Sequence, residues 1–318
     1  MSIFLSEENL ILNSDYFYTS NVHYDIFMPS GKIPKLSTDT MKENSLIYCW
    51  TNVLAFFVEN DMPKIRVKFS LILGLSDLVL PYLSHSDKKY TWAHFNKLIT
   101  YPYLVSIYAV STDIEHSKIK PILLGLCRSI PVPNTEYKYM EWYQGFYNSI
   151  AVKNYFKPFE STNPLELMRS KLNQNNKLIH IRYTLCNTDN CHILRYKNFR
   201  RKLQKYLSEK GFIVQTNLIS WQEYMKEMVE YKFSLHPHGA CASGFRICEA
   251  ILTGVIPVVF NSYVCEAYSD LPVLIIDNFE QINESFLNQK YREIISRNDY
   301  NFQKLTTKYW ISKMREEF

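Results

Sequence analysis

What this chain of 318 residues lacks narrows its class. It has no apolar run long enough to span a bilayer, since the most apolar stretch, KFSLILGLSDLVLPYL, is short and interrupted. Its first twenty residues, MSIFLSEENLILNSDYFYTS, lack a basic start and meet Glu7 and Glu8 early, which predicts neither a signal peptide nor a membrane anchor. The seven cysteines are odd in number and without framework spacing, so the expected compartment is reducing and cytoplasmic. Cys186, Cys191 and His192 in CNTDNCH have no second pair nearby and read as free thiols near a loop, with no metal bound. A net charge of +5 is too mild for a nucleic-acid partner and suits an anionic small molecule at one site. Repeats and low-complexity tracts are absent.

What is present is an ample core. Hydrophobic residues make up 47% and charged residues 21%, as in soluble globular proteins, and the length favours two domains. The 24 tyrosines and 19 phenylalanines are spread along the chain and form no single motif.

Short apolar runs alternate with longer amphipathic stretches, the signature of an α/β protein. SLIYCW (45–50), VKFSLILG (67–74) and YLVSIYAV (103–110) read as strands ending in polar loops. They predict a first Rossmann-like domain over about residues 1–150. The proline- and tyrosine-rich segment 131–165 carries the boundary. In the second half the expected strands are KLIHIRYT (177–184), FIVQT, KFSL, IPVVF and VLIID (273–277). A helix runs through Ile193, Tyr196, Phe199, Leu203 and Leu207 and stops at Gly211; a second is opened by Ser220 with Glu223 at the capping-box position. This pace predicts a doubly wound parallel sheet over 151–300, with a C-terminal helix over 301–318 packing back on the first domain.

The most informative stretch is FSLHPHGACASGFRICEAILTGVIPVVF (233–260), a strand, a loop, a short helix and a strand. In a doubly wound sheet ligands bind outside the carboxyl ends of the strands, where this loop lies. Gly239 and Gly244 let the backbone approach a ligand, and a helix N-terminus behind them is an anion site. Arg246 in the first turn opposes the helix dipole at a cost of about 0.3–1 kcal/mol, a sign that a bound phosphate reverses. At 100° per residue Arg246, Glu249 and Thr253 form a polar stripe apart from Ile247, Ala250 and Ile251. The plainer explanation of Arg246 is an i,i+3 ion pair with Glu249. Gly254 is an ordinary helix C-cap.

This stretch resembles the donor-binding segment of exostosin-like glycosyltransferases, which read KF.L.P.G and then R..EA...G.IPV; its layout is also similar to that of fucosyltransferases. SWQEYMKEMVEYKF before it and LPVLIIDNFEQINESFL after it agree, and the likeness is looser over 45–126. The resemblance implies a GT-B fold, two Rossmann-like domains facing across a cleft, and an inverting, metal-independent transfer from a nucleotide sugar, with UDP as the carrier, to a glycan acceptor. The chain contains no Asp-x-Asp motif for a donor-bound cation. By position, the resemblance places Arg246 on the diphosphate and Glu249 on the ribose, with Ser243 and Gly244 lining the pocket. His238 stands where many relatives carry arginine. Arg195 matches the place of a phosphate-binding arginine, whereas Arg200, Arg201, Lys202 and Lys205 read as a solvated helix face.

An inverting transfer needs a general base in the first domain. Asp77, in the loop after FSLILG, is the first candidate, and Asp113 and His116 in STDIEHSK follow. Two other readings stay open: a fucosyltransferase-like enzyme using GDP sugars, and a catalytically inactive glycan-binding protein. A soluble form fits a bacterial or viral enzyme of glycan biosynthesis.

Overall fold

A computed structural model of the chain describes residues 4–19, 34–74, 80, 90–126, 149–172, 174, 177–185, 198–238 and 244–318. Among the described residues nine strands form two parallel sheets, so the α/β class expected from the alternating pattern is observed. The first sheet runs in the order β1 (Tyr16–Tyr18), β2 (Ser45–Trp50), β3 (Phe69–Gly74), β4 (Leu104–Ala109) and β5 (Ile119–Pro121). The second runs β6 (Lys177–His180), β7 (Tyr231–His236), β8 (Ile256–Phe260) and β9 (Leu274–Ile276). β3 and β8 are buried along their whole length, as continuous apolar runs must be when both faces of a parallel sheet are covered.

Both sheets reverse direction near their starts. Phe17 of β1 pairs on one side with Tyr48 of β2 and on the other with Lys35, so the chain steps left of β1 before returning on its right. In the second sheet the expected strand FIVQT contributes one bridge, Gln215 to Arg182, with Gln215 N–H donating to Ile181 O at 3.0 Å. Its neighbours in sequence are helices Phe199–Glu209 and Trp221–Met228. These two helices lie on opposite faces. Phe199 packs edge-on against Phe260, whereas Tyr224 Oη approaches Ser234 Oγ at 3.5 Å on the other face. Right-handed crossovers on opposite faces step in opposite directions, which puts the switch of strand order between β6 and β7. FIVQT is short because Gln215 and its neighbours sit half-exposed at the sheet edge, with few apolar partners to extend the ladder.

The helices are numbered α1 (Glu7–Leu12), α2 (Trp92–Ile99), α3 (Ser149–Phe156), α4 (Pro164–Ser170), α5 (Phe199–Glu209), α6 (Trp221–Met228), α7 (Phe245–Leu252), α8 (Glu284–Ser296) and α9 (Thr307–Arg315). α6 starts with the expected capping box: Ser220 Oγ accepts from Glu223 N–H, and the Glu223 carboxylate accepts from Ser220 N–H at 2.9 Å. α7 ends in a Schellman motif, with Val255 N–H donating to Ala250 O at 2.9 Å and Gly254 N–H to Ile251 O at 3.0 Å. Gly254 supplies the left-handed φ of +72° that this motif needs.

One face of β2, β3 and β4 (Tyr48, Ile72, Tyr108) belongs to the same buried cluster as the core of the second sheet. The opposite face has a separate cluster around Phe57, Phe69 and Phe95. The chain's end returns to the first sheet: Glu317 accepts from Ser106 Oγ at 2.6 Å, and Arg315 pairs with Asp15 at 2.8 Å. No helix among the described residues is long and apolar enough to cross a membrane.

Candidate functional site

The switch point lies outside the carboxyl ends of β6 and β7, between residues 181–185 and 236–238. Arg200, from the first turn of α5, ties these two strand ends together. Its Nη1 donates to Thr184 O at 2.8 Å and its Nε to His238 O at 2.9 Å, with Nη2 reaching Pro237 O at 3.3 Å. The solvated role read from the sequence is therefore corrected for Arg200, while Arg201, Lys202 and Lys205 are exposed as expected. A basic run on a helix reads as a solvated face unless one position meets main-chain carbonyls, and those carbonyls come from strands distant in sequence.

Directly beyond the β7 end, α7 presents Arg246 in its first turn. Its Nη1 donates to Glu249 Oε2 at 2.5 Å, and its guanidinium stacks over the Tyr224 ring at 4.2 Å. The other carboxylate oxygen, Oε1, accepts from Trp221 Nε1 at 3.1 Å. Glu249 has no exposed surface, whereas the Arg246 side chain is 22% exposed. The ion pair foreseen as the plainer explanation thus forms, and it offsets the dipole cost of an arginine at a helix start. A buried carboxylate is tolerated only when paired and hydrogen-bonded, and Arg246 and Trp221 meet both conditions. Gly244 caps the helix in extended backbone (φ −157°), and a Cβ there would meet nothing within 4 Å among the described residues.

Behind this pair, on the α6–α7 face of the sheet, lies a polar layer the sequence reading did not single out. Arg182 grips Glu227 with two hydrogen bonds of 2.9 and 3.1 Å, and its third nitrogen reaches Asn217 Oδ1 at 2.8 Å. His180, almost fully buried, contacts Glu227 at 3.4 Å and packs edge-on against Tyr224. His236 sits at the end of β7 on the same face, and its Nε2 is buried with no hydrogen-bond partner among the described residues. Burial, then the nearby His180, Arg246 and Arg200, push the His236 pKa down to about 3, so its ring is neutral at pH 7. Burial also lowers the pKa of His180, against the opposing pull of the Glu227 carboxylate. The signal in the sequence was the period-two spacing of His180 and Arg182 within an apolar strand.

The remaining expected positions divide clearly. The His238 ring is 5% exposed and packs between Phe199 and Phe260, at centroid distances of 5.7 and 5.9 Å. Arg195, Gly239, Ser243 and Asp77 lie outside the described residues, as do Cys186, Cys191 and His192. Asp113 and His116 lie in the loop from β4 to β5; Asp113 N–H donates to Leu80 O at 2.9 Å, and His116 Nδ1 accepts from Lys118 N–H at 3.1 Å. In the neutral ring that bond leaves the proton on Nε2, while the lone pair on Nδ1 is engaged by the Lys118 N–H. Among the described residues no three His, Cys, Asp or Glu side chains gather as a metal site.

No protein-family model and no curated protein matches the chain. It is similar to the solved structure of Anabaena HepE in complex with UDP and glucose, at 11% identity and a TM-score of 0.41, over 86% of this chain and 76% of that one. It is also similar to an α,α-trehalose-phosphate synthase (UDP-forming) from Burkholderia xenovorans, at 9% identity and a TM-score of 0.40, over 88% and 73%. A trehalose-6-phosphate synthase studied for glycosyltransfer with retention matches at 10% and 0.35, over 98% and 87%. At such identities and scores the chemistry has to be argued from the residues of this chain.

Proposed function

We propose that the chain is a glycosyltransferase that moves a sugar from a nucleotide-sugar donor, with UDP as the carrier, to a hydroxyl of a glycan acceptor. The observation that carries this reading is Arg246, a partly exposed cation at a helix start, directly outside the switch point of a doubly wound sheet. The donor falls to residues 151–300 and the acceptor to residues 1–150.

In this reading the diphosphate docks at the N-terminus of α7, and Arg246, together with Arg195, balances its charge. Glu249 holds the Arg246 guanidinium in place before the donor arrives. Because its carboxylate is buried behind that guanidinium, it reaches the ribose hydroxyls only as Arg246 swings toward the diphosphate. The neighbouring positions Gly239, Ser243 and Gly244 line the approach, and the carbonyl of His238, fixed by Arg200, sets the loop's starting direction.

The acceptor oxygen attacks the anomeric carbon, the bond from that carbon to the phosphate oxygen breaks, and the nucleoside diphosphate leaves with the electron pair. The acceptor's proton goes to a base of the first domain, with Asp77, Asp113 and His116 as the candidates. The positive end of α7 and Arg246 stabilise the charge growing on the leaving group. Inversion at the anomeric carbon and independence from metal belong to the proposal and rest on the likeness of the 231–260 segment. The anomeric coupling of the product by NMR decides the first, and activity in chelator decides the second.

A thermal-shift series with UDP, GDP and their sugars tests the reading. A ligand at a hundred times its Kd adds about 2.7 kcal/mol of stability. Stabilisation by UDP compounds alone supports the proposal, stabilisation by GDP compounds alone moves it to a fucosyltransferase-like enzyme, and no stabilisation removes the donor site. Binding of UDP-sugar without turnover leaves a glycan-binding protein.

A further inference from the structure

The donor reading uses the ends of β6 and β7 and leaves unexplained a cavity at the ends of β8 and β9. It is a wide-open hollow with a volume of about 670 Å³. Asn261 and Asp277 follow the last residues of β8 and β9 directly, and Asn261 Nδ2 donates to Asp277 Oδ1 at 2.8 Å, closing one side. Ser262, Tyr263 and Glu266 form another side, and Ile275 of the edge strand adds an apolar wall.

One lining residue reaches the first sheet. Tyr263 donates from its hydroxyl to Ile119 O of β5 at 3.3 Å. Burial, with Glu266 and Glu115 nearby, raises the pKa of this hydroxyl to about 12, which keeps it a donor. The loop holding Glu115 also holds the candidate bases Asp113 and His116. Asn261 in its lining follows Phe260, whose ring meets that of His238.

The chemistry of the lining selects the ligand. None of its described residues is lysine or arginine, and two are carboxylates, so it disfavours phosphate. Carboxylate oxygens, an amide and a hydroxyl around one apolar wall match the hydroxyls and the C–H face of a sugar ring. We infer that this cavity is the binding site for a neutral, hydroxyl-rich sugar ring, with Glu266 and Asp277 accepting from ring hydroxyls. That the ring belongs to the transfer reaction rests on the glycosyltransferase reading; that the cavity binds it does not.

Saturation-transfer NMR on the full chain tests this, with UDP, UDP-glucose and a set of free methyl glycopyranosides as probes. Two variants block the cavity differently: Asp277→Asn removes the charge and keeps the shape, while Ile275→Trp fills the space from an already exposed position. Sugar-ring protons are expected to receive saturation in the wild type, and affinity to fall about tenfold or more in both variants, as for a lost hydrogen bond to a charged group. Uridine protons stay saturated throughout. Loss confined to UDP-glucose marks the donor's sugar as the occupant, and loss confined to the glycosides marks the acceptor ring. Sugar signals undiminished in both variants, or absent from the wild type with every probe, overturn the inference. Absence of UDP binding alongside cavity-dependent glycoside binding overturns the donor reading alone.

Discussion

Arg246 and Glu249 are joined by a 2.5 Å hydrogen bond one helical turn apart, and the two partners differ sharply in exposure. The asymmetry sets what each substitution does. Arg246→Ala leaves a carboxylate buried beside Trp221 without its cation, and a loss of about 3–5 kcal/mol is expected. Glu249→Gln keeps an acceptor for Trp221 Nε1 and leaves a cation with a path to water, so its loss is smaller. Urea unfolding of both variants checks the order; equal losses would contradict it.

Glu249 also carries a binding prediction. If Arg246 swings to the diphosphate and frees the carboxylate for the ribose, UDP binds about tenfold or more tighter than its 2′,3′-dideoxy analogue. In Glu249→Gln the difference shrinks. Calorimetry with both nucleotides on both proteins measures it, and unchanged discrimination confines Glu249 to holding Arg246.

His236 makes stability depend on pH. Its folded pKa of about 3 lies below the unfolded value of about 6.5, so between these pH values the unfolded chain binds more protons. The stabilisation is present above pH 6.5 and is lost as the pH falls, by at most about 1.4 kcal/mol per unit for this group. His236→Gln removes that dependence and leaves the similarly directed one of His180. Denaturation midpoints at pH 7, 6 and 5 should therefore fall less steeply in the variant than in the wild type.

The sequence was most legible where one period dominated. β2 and β8 follow the predicted runs 45–50 and 256–260, because strands covered on both faces read as uninterrupted apolar stretches. The Ser220 capping box and the Gly254 stop were equally plain, being local chemistry within four residues. What stayed hidden depends on residues far apart in sequence. Arg200 meets carbonyls 16 and 38 positions away, and Arg182 meets Glu227 across 45. The β1 and β5 strands are three residues long, too short to show alternation. In the stretch 233–260 the arginine and glutamate were legible, and the closing of their charges on each other was one of two readings the spacing allowed.

Arg200 is predicted to be irreplaceable by lysine. A lysine keeps the charge but has no planar fork to span Thr184 O, Pro237 O and His238 O together. Arg200→Lys should cost about 1–3 kcal/mol, and Arg201→Lys, on the exposed face, less than about 0.5. Because Arg200 fixes the strand end that leads to the donor loop, UDP affinity should fall in the first variant and stay level in the second.

Gly254→Ala tests the join between α4 and α7. The native φ of +72° costs an L-residue about 1–2 kcal/mol, and the added Cβ would sit 2.4 Å from Leu167 Cβ and 2.9 Å from the Leu167 carbonyl carbon. Leu167 lies within α4, so relief requires moving that helix. A loss above about 2 kcal/mol is expected, read as a lower urea midpoint at unchanged m. Shortening the neighbour does not rescue it: Leu167→Ala retains the clashing Cβ, and even Leu167→Gly leaves the carbonyl carbon in place. Full recovery in the Gly254→Ala, Leu167→Ala double variant would mean that side-chain crowding beyond Cβ, and not backbone approach, sets the demand for glycine.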